Sequence, residues 1–458
     1  LKIDIREFLL SAMTEDEAIS GAAEEIQKEE MSSLLDTLHD ESTDVVESMQ
    51  DDDEVNAISE TDSTIVRLVN KVLTDAYDQG ISDIHIEPGN GKKPVKVRFR
   101  KDGACQVYQE IPFLYKQAII SRIKIMSKLD IAERRMPQDG KIKMKYGRKE
   151  IEYRVATCPT VGGNEDAVLR ILAASKPMPL EKMNFSEGNL ELIKDKATKP
   201  YGLILVVGPT GSGKTTTLHS CLGYINKPER KIWTAEDPVE ITQDGLRQVQ
   251  MLNKIGLDFA RAMKSFLRGD PDVIMVGEMR DAETCSIGLE ASLTGHLVFS
   301  TLHTNSAPET ITRLLDMGMN PLNFADALLL IVAQRLVRTL CKKCKEDYHP
   351  NQEEFDALAK EYGDGFENLN IQYSDDLMLK KPVGCNNCND TGYAGRTGLH
   401  ECLEGTDDIK RMIMKQSLVE DLRKQAISDG MTTLKQDGIY KVFKGDCDLK
   451  QVMAVCIV

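Results

Sequence analysis

The stretch GPTGSGKTTT, residues 208–217, lies between an apolar run, LILVVG, and a segment with helical spacing, LHSCLGYI. A buried strand, a glycine-rich turn and a helix in that order restrict the fold more than anything else in the chain. Gly208, Gly213, Lys214 and Thr215 satisfy the spacing G-x-x-x-x-G-K-[ST]. Glycines at 208, 211 and 213 let the loop curl with its N–H groups turned inward, and the following helix adds positive potential at its N-terminus. The expected nucleotide-binding set is Gly208, Pro209, Thr210, Gly211, Ser212, Gly213, Lys214, Thr215 and Thr216. Lys214 is expected to reach the β- and γ-phosphates of ATP, and the Thr215 hydroxyl to hold Mg2+.

Hydrolysis needs a group that handles the attacking water. The run DVIMVGEMRD offers one: a short apolar strand, Val273–Val276, is followed by Gly277 and Glu278. A carboxylate at the C-terminal end of a buried strand sits where ligands bind in open α/β sheets. Glu278 is therefore the expected water activator, with a contact to magnesium through water. Two other strand ends carry polar groups. AEDPVE presents Glu236, Asp237 and Glu240, and TGHLVFSTLHTN carries His296 before its apolar run and His303 after it. Either histidine is a candidate γ-phosphate sensor, and the residues alone leave the choice open.

The chain has 458 residues, beyond what one hydrophobic core serves, so about three structural units are expected. Residues 1–60 are acidic and poor in aromatics, which favours a solvated, flexible tether. The first residue is Leu1 rather than Met, which points to a region missing N-terminally. Residues 61–175 alternate strand-like and helical patterns and are rich in arginine, as expected of a compact α+β domain. Residues 176–182, with two prolines, read as the joint. Residues 183–340 alternate apolar strands with helices in the pattern of a doubly wound sheet.

Beyond 340, Cys341-x-x-Cys344 and Cys385-x-x-Cys388 form two chelating turns. Four thiolates suit a closed, tetrahedral and structural Zn2+ site, which defines an expected subdomain at 341–400. His349 is a spare ligand candidate and is expected to be a loop residue. Residues 401–458 are expected to be a helical completion of the nucleotide-binding domain. The chain has eleven cysteines, an odd number, with no signal peptide before them, which favours a reduced cytosolic setting over a disulfide framework. A net charge of -15 argues against a nucleic-acid partner. No apolar run reaches the roughly 18 residues that span a bilayer, so membrane contact is expected to be peripheral.

Taken together, ISDIHIEP, PQDGKI, GPTGSGKTTT, AEDPVE, LRGDPDVIMVGEMRD, TGHLVFSTLHTN, AQRLVRTLC and the paired CxxC resemble the secretion and type IV pilus ATPases. The resemblance runs from about Ser63 to the C-terminus. It implies a RecA-like P-loop NTPase domain, preceded by a smaller α+β (PAS-like) domain and followed by the zinc-stapled part. It implies a homohexameric motor, peripheral at the cytoplasmic face of the bacterial inner membrane, acting on an inner-membrane platform protein. Pilus assembly is the favoured task, type II secretion the alternative, and nucleic-acid translocation a distant third.

The resemblance also implies that Glu278 is catalytic, that Glu240 assists magnesium or water, and that His296 and His303 belong to one histidine box. Arg154 and Arg170 match arginine fingers, groups worth roughly 10³ to 10⁵ in rate. Arg268, Arg280, Arg313 and Arg335 match further arginines that divide between nucleotide closure and domain contacts. Lys264 and Gly269 depart from the family pattern, as does VGGNEDAVLR, which carries an extra residue before Arg170.

Overall fold

A computed structural model describes Met31, Ser33 and residues 63–456, except 148, 173–176 and 253–254. It divides into two compact units, 1–174 and 175–458. Most of the acidic tether expected at 1–60 lies outside the described residues. Met31 is a correction to that reading: it is helical and packs, 5% exposed, into the core of the first unit.

In the first unit, α1 (Ser63–Asp78) precedes three strands, β1 (Asp83–Pro88), β2 (Val95–Lys101) and β3 (Ala104–Ile111). Then come α2 (Lys116–Met126), β4 (Gln138–Tyr146), β5 (Lys149–Thr160) and β6 (Asn164–Leu172). The six strands form an antiparallel sheet in the order β3-β2-β1-β6-β5-β4. Alternation along the strands sends Ile84, Ile86, Val97, Phe99, Tyr153, Val155 and Leu169 to one face, in a core shared with Leu68 and Val72 of α1 and Ile119 and Ile123 of α2. The Tyr153 hydroxyl donates to the Leu73 carbonyl at 2.9 Å and ties sheet to helix. The other face carries charge. Arg100, Asp83, Arg170, Arg154 and Lys141 stand opposite one another in a row across five strands.

The second unit opens with α3 (Glu187–Ala197), β7 (Gly202–Val207), α4 (Lys214–Ile225), β8 (Ile232–Glu236) and β9 (Leu246–Gln250). It continues through α5 (Phe259–Phe266), β10 (Val273–Val276), α6 (Ala282–Leu293), β11 (Leu297–Leu302), α7 (Ala307–Asp316), α8 (Pro321–Ala327) and β12 (Leu328–Leu340). After β13 (Glu346–Tyr348), α9 (Gln352–Tyr362) and β14 (Leu379–Lys381) come β15 (Tyr393–Glu404), α10 (Asp407–Met414), α11 (Val419–Ser428), α12 (Leu434–Phe443) and α13 (Leu449–Val455). Seven strands form one sheet in the order β15-β12-β7-β11-β10-β8-β9, parallel except for β15.

Every residue of β7, β10 and β11 is buried, because helices cover both faces of a parallel sheet and leave no side for alternation. Leu218 and Leu222 of α4 and Ile193 of α3 pack on one face. Phe266, Ile287, Ile311 and Phe324, with Ile409 and Leu422 from α10 and α11, pack on the other. The boundary expected at 400/401 needs correction, since it falls inside β15, a twelve-residue strand of the main sheet. The cysteine-bearing segment is thus an excursion between β12 and β15, and its own small core joins Leu358 and Leu379 to Ile439 and Val452 of α12 and α13.

One buried ion pair holds the first unit. Lys124 of α2, 1% exposed, pairs with Glu165 of β6 and donates to the Glu133 carbonyl at 2.8 Å. Removing one member strands the other's charge in a low dielectric, at a cost of roughly 3–5 kcal/mol. Lys124→Met is expected to lower the first unit's unfolding midpoint by several degrees, while Lys124→Met combined with Glu165→Leu recovers much of the loss; differential scanning calorimetry reads both.

Candidate active site

The parallel register lines up the carboxyl ends of four strands. Val207 pairs with Leu302, and Val276 pairs with both Ser300 and Ala235. The residues that leave this edge are Gly208, His303, Gly277–Glu278 and Glu236–Asp237. The phosphate loop turns here through Gly211 and Gly213, both at positive φ (80° and 89°), and α4 begins at Lys214. Lys214 is half-buried and its Nζ donates to the carbonyls of Gly208 at 2.7 Å and Pro209 at 3.1 Å. Burial lowers the Lys214 pKa, the Glu278 carboxylate opposes that shift, and Arg335 adds to it. A half-buried ammonium held by two carbonyls exchanges readily for the stronger acceptors of a phosphate. Thr215 and Thr216 are half-buried in the first turn of α4, and Pro209 and Thr210 are exposed.

Glu278 is held on both sides. Gly277 N–H donates to the Ala235 carbonyl at 2.8 Å, Thr301 Oγ1 donates to the Gly277 carbonyl at 2.7 Å, and Met279 N–H donates to the Thr301 carbonyl at 3.1 Å. Asp281 then caps α6 by accepting from Thr284 N–H at 2.8 Å, which ends the turn after Glu278. The Glu278 side chain, 15% exposed, accepts from Arg280 Nε at 2.7 Å and lies 3.1 Å from His303 Nε2. Ser306 caps α7, and Asn305 N–H donates to Glu309, which anchors the turn that carries His303.

The two candidate histidines separate. His296 sits at the opposite end of β11, where its Nδ1 lies 3.0 Å from the Ala291 carbonyl and its own carbonyl accepts from Gly202 N–H. Six strand residues put it about 20 Å from the edge that carries His303. Of these two histidines, His303 is the one that meets Glu278. Of the acidic run, Glu240 is half-buried after β8 and Asp237 is exposed. Glu236 is buried instead in a structural network: it lies 3.1 Å from His219 Nε2 of α4 and accepts from Thr234 at 2.6 Å and from Gln248 at 3.0 Å.

Among the arginines, Arg335 donates to the Gln334 carbonyl and to the Asn305 backbone and side-chain oxygens, and burial lowers its pKa. Arg280 contacts Glu278; Arg268 and Arg313 are exposed on the flank of α5 and on α7. Arg154 and Arg170 belong to the first unit, where they are cross-strand neighbours and Arg170 Nε donates to Asp83 at 2.7 Å.

Sequence reasoning missed two residues. His219 and Gln334, both fully buried, join the loop helix to its neighbours. Gln334 Nε2 donates to the Ser212 carbonyl at 2.7 Å and Gln334 Oε1 accepts from Thr217 Oγ1 at 2.6 Å. The available signal was a glutamine inside the apolar run LLLIVAQRLV, since a buried polar group needs a partner.

The four cysteines meet as a second centre. Their Sγ atoms all lie within 4.8 Å, with Cys341–Cys385 at 3.9 Å, Cys344–Cys388 at 3.8 Å and Cys385–Cys388 at 3.8 Å. A tetrahedron with Zn–S of about 2.3 Å has S–S edges of about 3.8 Å, so the donor set fits zinc. The N–H groups of Gly384, Cys385 and Gly392 donate to these sulfurs, as expected of an outer shell around thiolates. When bound, zinc supplies a cross-link between the two ends of the excursion. His349 instead lies 3.0 Å from the Ser374 carbonyl.

Residues 59–454 match the family described as "Type II/IV secretion system protein". The chain belongs to this family. It is 42% identical over 440 residues to the type IV pilus assembly ATPase PilB of Myxococcus xanthus, covering 95% of this chain and 76% of that protein. It is 44% identical to PilB of Pseudomonas aeruginosa, covering 86% and 68%, and 41% identical to type II secretion system protein E of Aeromonas hydrophila, covering 87% and 76%. The chain spans only 44% of the Thermus thermophilus PilB that it also resembles. Among solved structures, the pilus retraction motor PilT with bound ADP aligns with a TM-score of 0.57 at 26% identity, covering 85% of this chain and 96% of that one. The Legionella pneumophila ATPase DotB shares the fold, with a TM-score of 0.62 at 21% identity and coverage of 85% and 95%.

Purified chain is expected to carry about one zinc per chain, since four thiolates close one tetrahedral site. Cys385→Ser with Cys388→Ser should abolish that zinc by metal analysis and expose residues 342–392 to protease, while leaving ADP binding intact. Loss of ADP binding together with the zinc would show that the excursion shapes the phosphate edge.

Proposed function

We propose that this chain is a homohexameric motor ATPase that couples Mg-ATP hydrolysis to movement of its two units and so drives type IV pilus assembly. The observation that carries the reading is Glu278, gripped by Arg280 and His303 on the same sheet edge as Lys214. Lys214 and the loop N–H groups hold the phosphates. The Thr215 hydroxyl and Glu240 are the groups that would hold magnesium or its waters, and the ion would supply charge neutralisation for the phosphates. Glu278 accepts the proton of the attacking water at a carboxylate oxygen. His303, in contact with that carboxylate, reports whether the γ-phosphate side is filled. Arg154 and Arg170 supply positive charge to the transition state, Arg170 having its guanidinium oriented by Asp83.

The task of adding pilin through an inner-membrane platform protein rests on the pilus relatives at 42% and 44% identity. Type II secretion is the second reading, carried by relatives at 41% identity. No described helix is long and apolar enough to cross a membrane, and we place the motor at the cytoplasmic face of the inner membrane as a peripheral protein. The net charge of -15 speaks against a nucleic-acid track.

Glu278→Gln is expected to lower kcat by about 10²–10⁴-fold while ADP and ATP still bind. Normal turnover in that variant would remove Glu278 from the chemistry. Native mass measurement with a non-hydrolysable ATP analogue should give six chains, and a persistent monomer would remove the ring. Deleting the gene from its host should abolish surface pili with exoprotein release intact; the reverse outcome would assign the motor to secretion.

A further inference from the structure

The phosphate loop has an unusual support from outside its own strand and helix. Gln334 lies on β12, the neighbour of β7, and is 0% exposed. Its side chain makes both bonds a primary amide of that orientation can make toward the loop: Nε2 to the Ser212 carbonyl at 2.7 Å and Oε1 from the Thr217 hydroxyl at 2.6 Å. The two partners bracket Gly213 and Lys214. The same residue explains two glycines. A Cβ on Gly208 would come 2.5 Å from the Gln334 carbonyl oxygen, and one on Gly213 would come 2.8 Å from Gln334 Nε2. Two hydrogen bonds and two close approaches that only glycine allows therefore fit the loop and its helix to one residue.

A trans peptide is planar, with its C=O and N–H pointing in opposite directions. Anchoring the Ser212 carbonyl on Gln334 thus aims the Gly213 N–H away from the Gln334 amide and fixes the orientation of that peptide at the start of α4. Thr217 Oγ1 also approaches the Gly213 carbonyl at 3.3 Å, so Gln334 braces the next peptide as well.

We infer that Gln334 is a positioning residue that pre-sets the loop's N–H groups for the phosphates of ADP and ATP. This rests on the nucleotide reading of the loop but adds a residue outside the motif. A preformed anion cradle binds more tightly because the ordering has already occurred in folding. Glutamine is required by this geometry: a donor faces Ser212 and an acceptor faces Thr217. Met matches its length and supplies neither, and Glu supplies only the acceptor.

The test compares wild type, Gln334→Met, Gln334→Glu and Thr217→Val in ADP titration calorimetry and steady-state ATP hydrolysis. Leu336→Met, on the same strand beside Gly213, controls for packing. Gln334→Met and Gln334→Glu are expected to raise the ADP Kd and the ATP KM by about tenfold or more, the value of one lost hydrogen bond to an organised site, with kcat at saturation reduced less. Partial unfolding would instead lower kcat at unchanged KM. Thr217→Val is expected to weaken ADP binding about threefold or more and, combined with Gln334→Met, to add little, because one contact is removed twice. A folded Gln334→Met with wild-type Kd and KM overturns the inference. If Gln334→Met does not fold, Thr217→Val decides alone, and unchanged ADP affinity there overturns it. A wild-type chain that binds ADP but does not turn over ATP overturns the motor reading and leaves this one standing.

Discussion

Parallel pairing among β12, β7, β11, β10 and β8 is the constraint on which the rest depends, because it brings the carboxyl ends of the last four to one edge, beside Gln334 and Arg335 within β12. Residues far apart in the chain, Lys214, Glu278, His303 and Arg335, become neighbours for that reason alone. A slip of one residue between β10 and β11 would send every side chain of the slipped strand to the opposite face and move Glu278 out of line with His303. The continuous burial of Val273–Val276 and Leu297–Leu302 penalises such a slip on both faces of the sheet at once. Core packing fixes the strand ends at this edge, and local caps with the Gln334 side chain hold the segments that leave it.

Buried polar groups gather beside this edge. His219, Glu236, Gln243 and Gln248 form one closed network under the loop helix, in which Gln243 Nε2 lies 2.7 Å from His219 Nδ1. That arrangement assigns the His219 proton to Nε2, facing Glu236, whose pKa is lowered: burial pushes it up, but His219 and its other donors outweigh the burial. Asp437 and Lys441 form a second buried pair behind β15, with the Lys441 ammonium also on the Gly398 carbonyl. Each network costs desolvation, which its hydrogen bonds offset, and each fixes one arrangement of helix on sheet.

The excursion between β12 and β15 shows how a segment with little apolar mass is held. Its core residues Leu358, Tyr362 and Leu379 are few, and they share the cluster with α12 and α13. The four cysteines meet at the base of the segment, where both ends leave the main sheet and a metal would cross-link them. A cross-link at that point shortens the loop available to the unfolded chain and acts where the local core is thinnest.

The sequence alone determined the chemistry-bearing parts whose geometry is local. The phosphate loop, the strand ends at Glu278 and His303, and the two CxxC turns each depend on residues close in the chain, so spacing and residue type suffice to read them. What required the tertiary structure was every relation across strands. The two histidines of one run could not be told apart by sequence, because only the parallel register puts His303 at Glu278 and His296 at the far end of β11. The domain edge at 400/401 was misplaced because the apolar pattern of TGLHECLE does not reveal that it pairs with β12. Gln334 and His219 were passed over for the same physical reason: a polar residue inside an apolar run shows that a partner must exist, and only the packing of one element on another says which one.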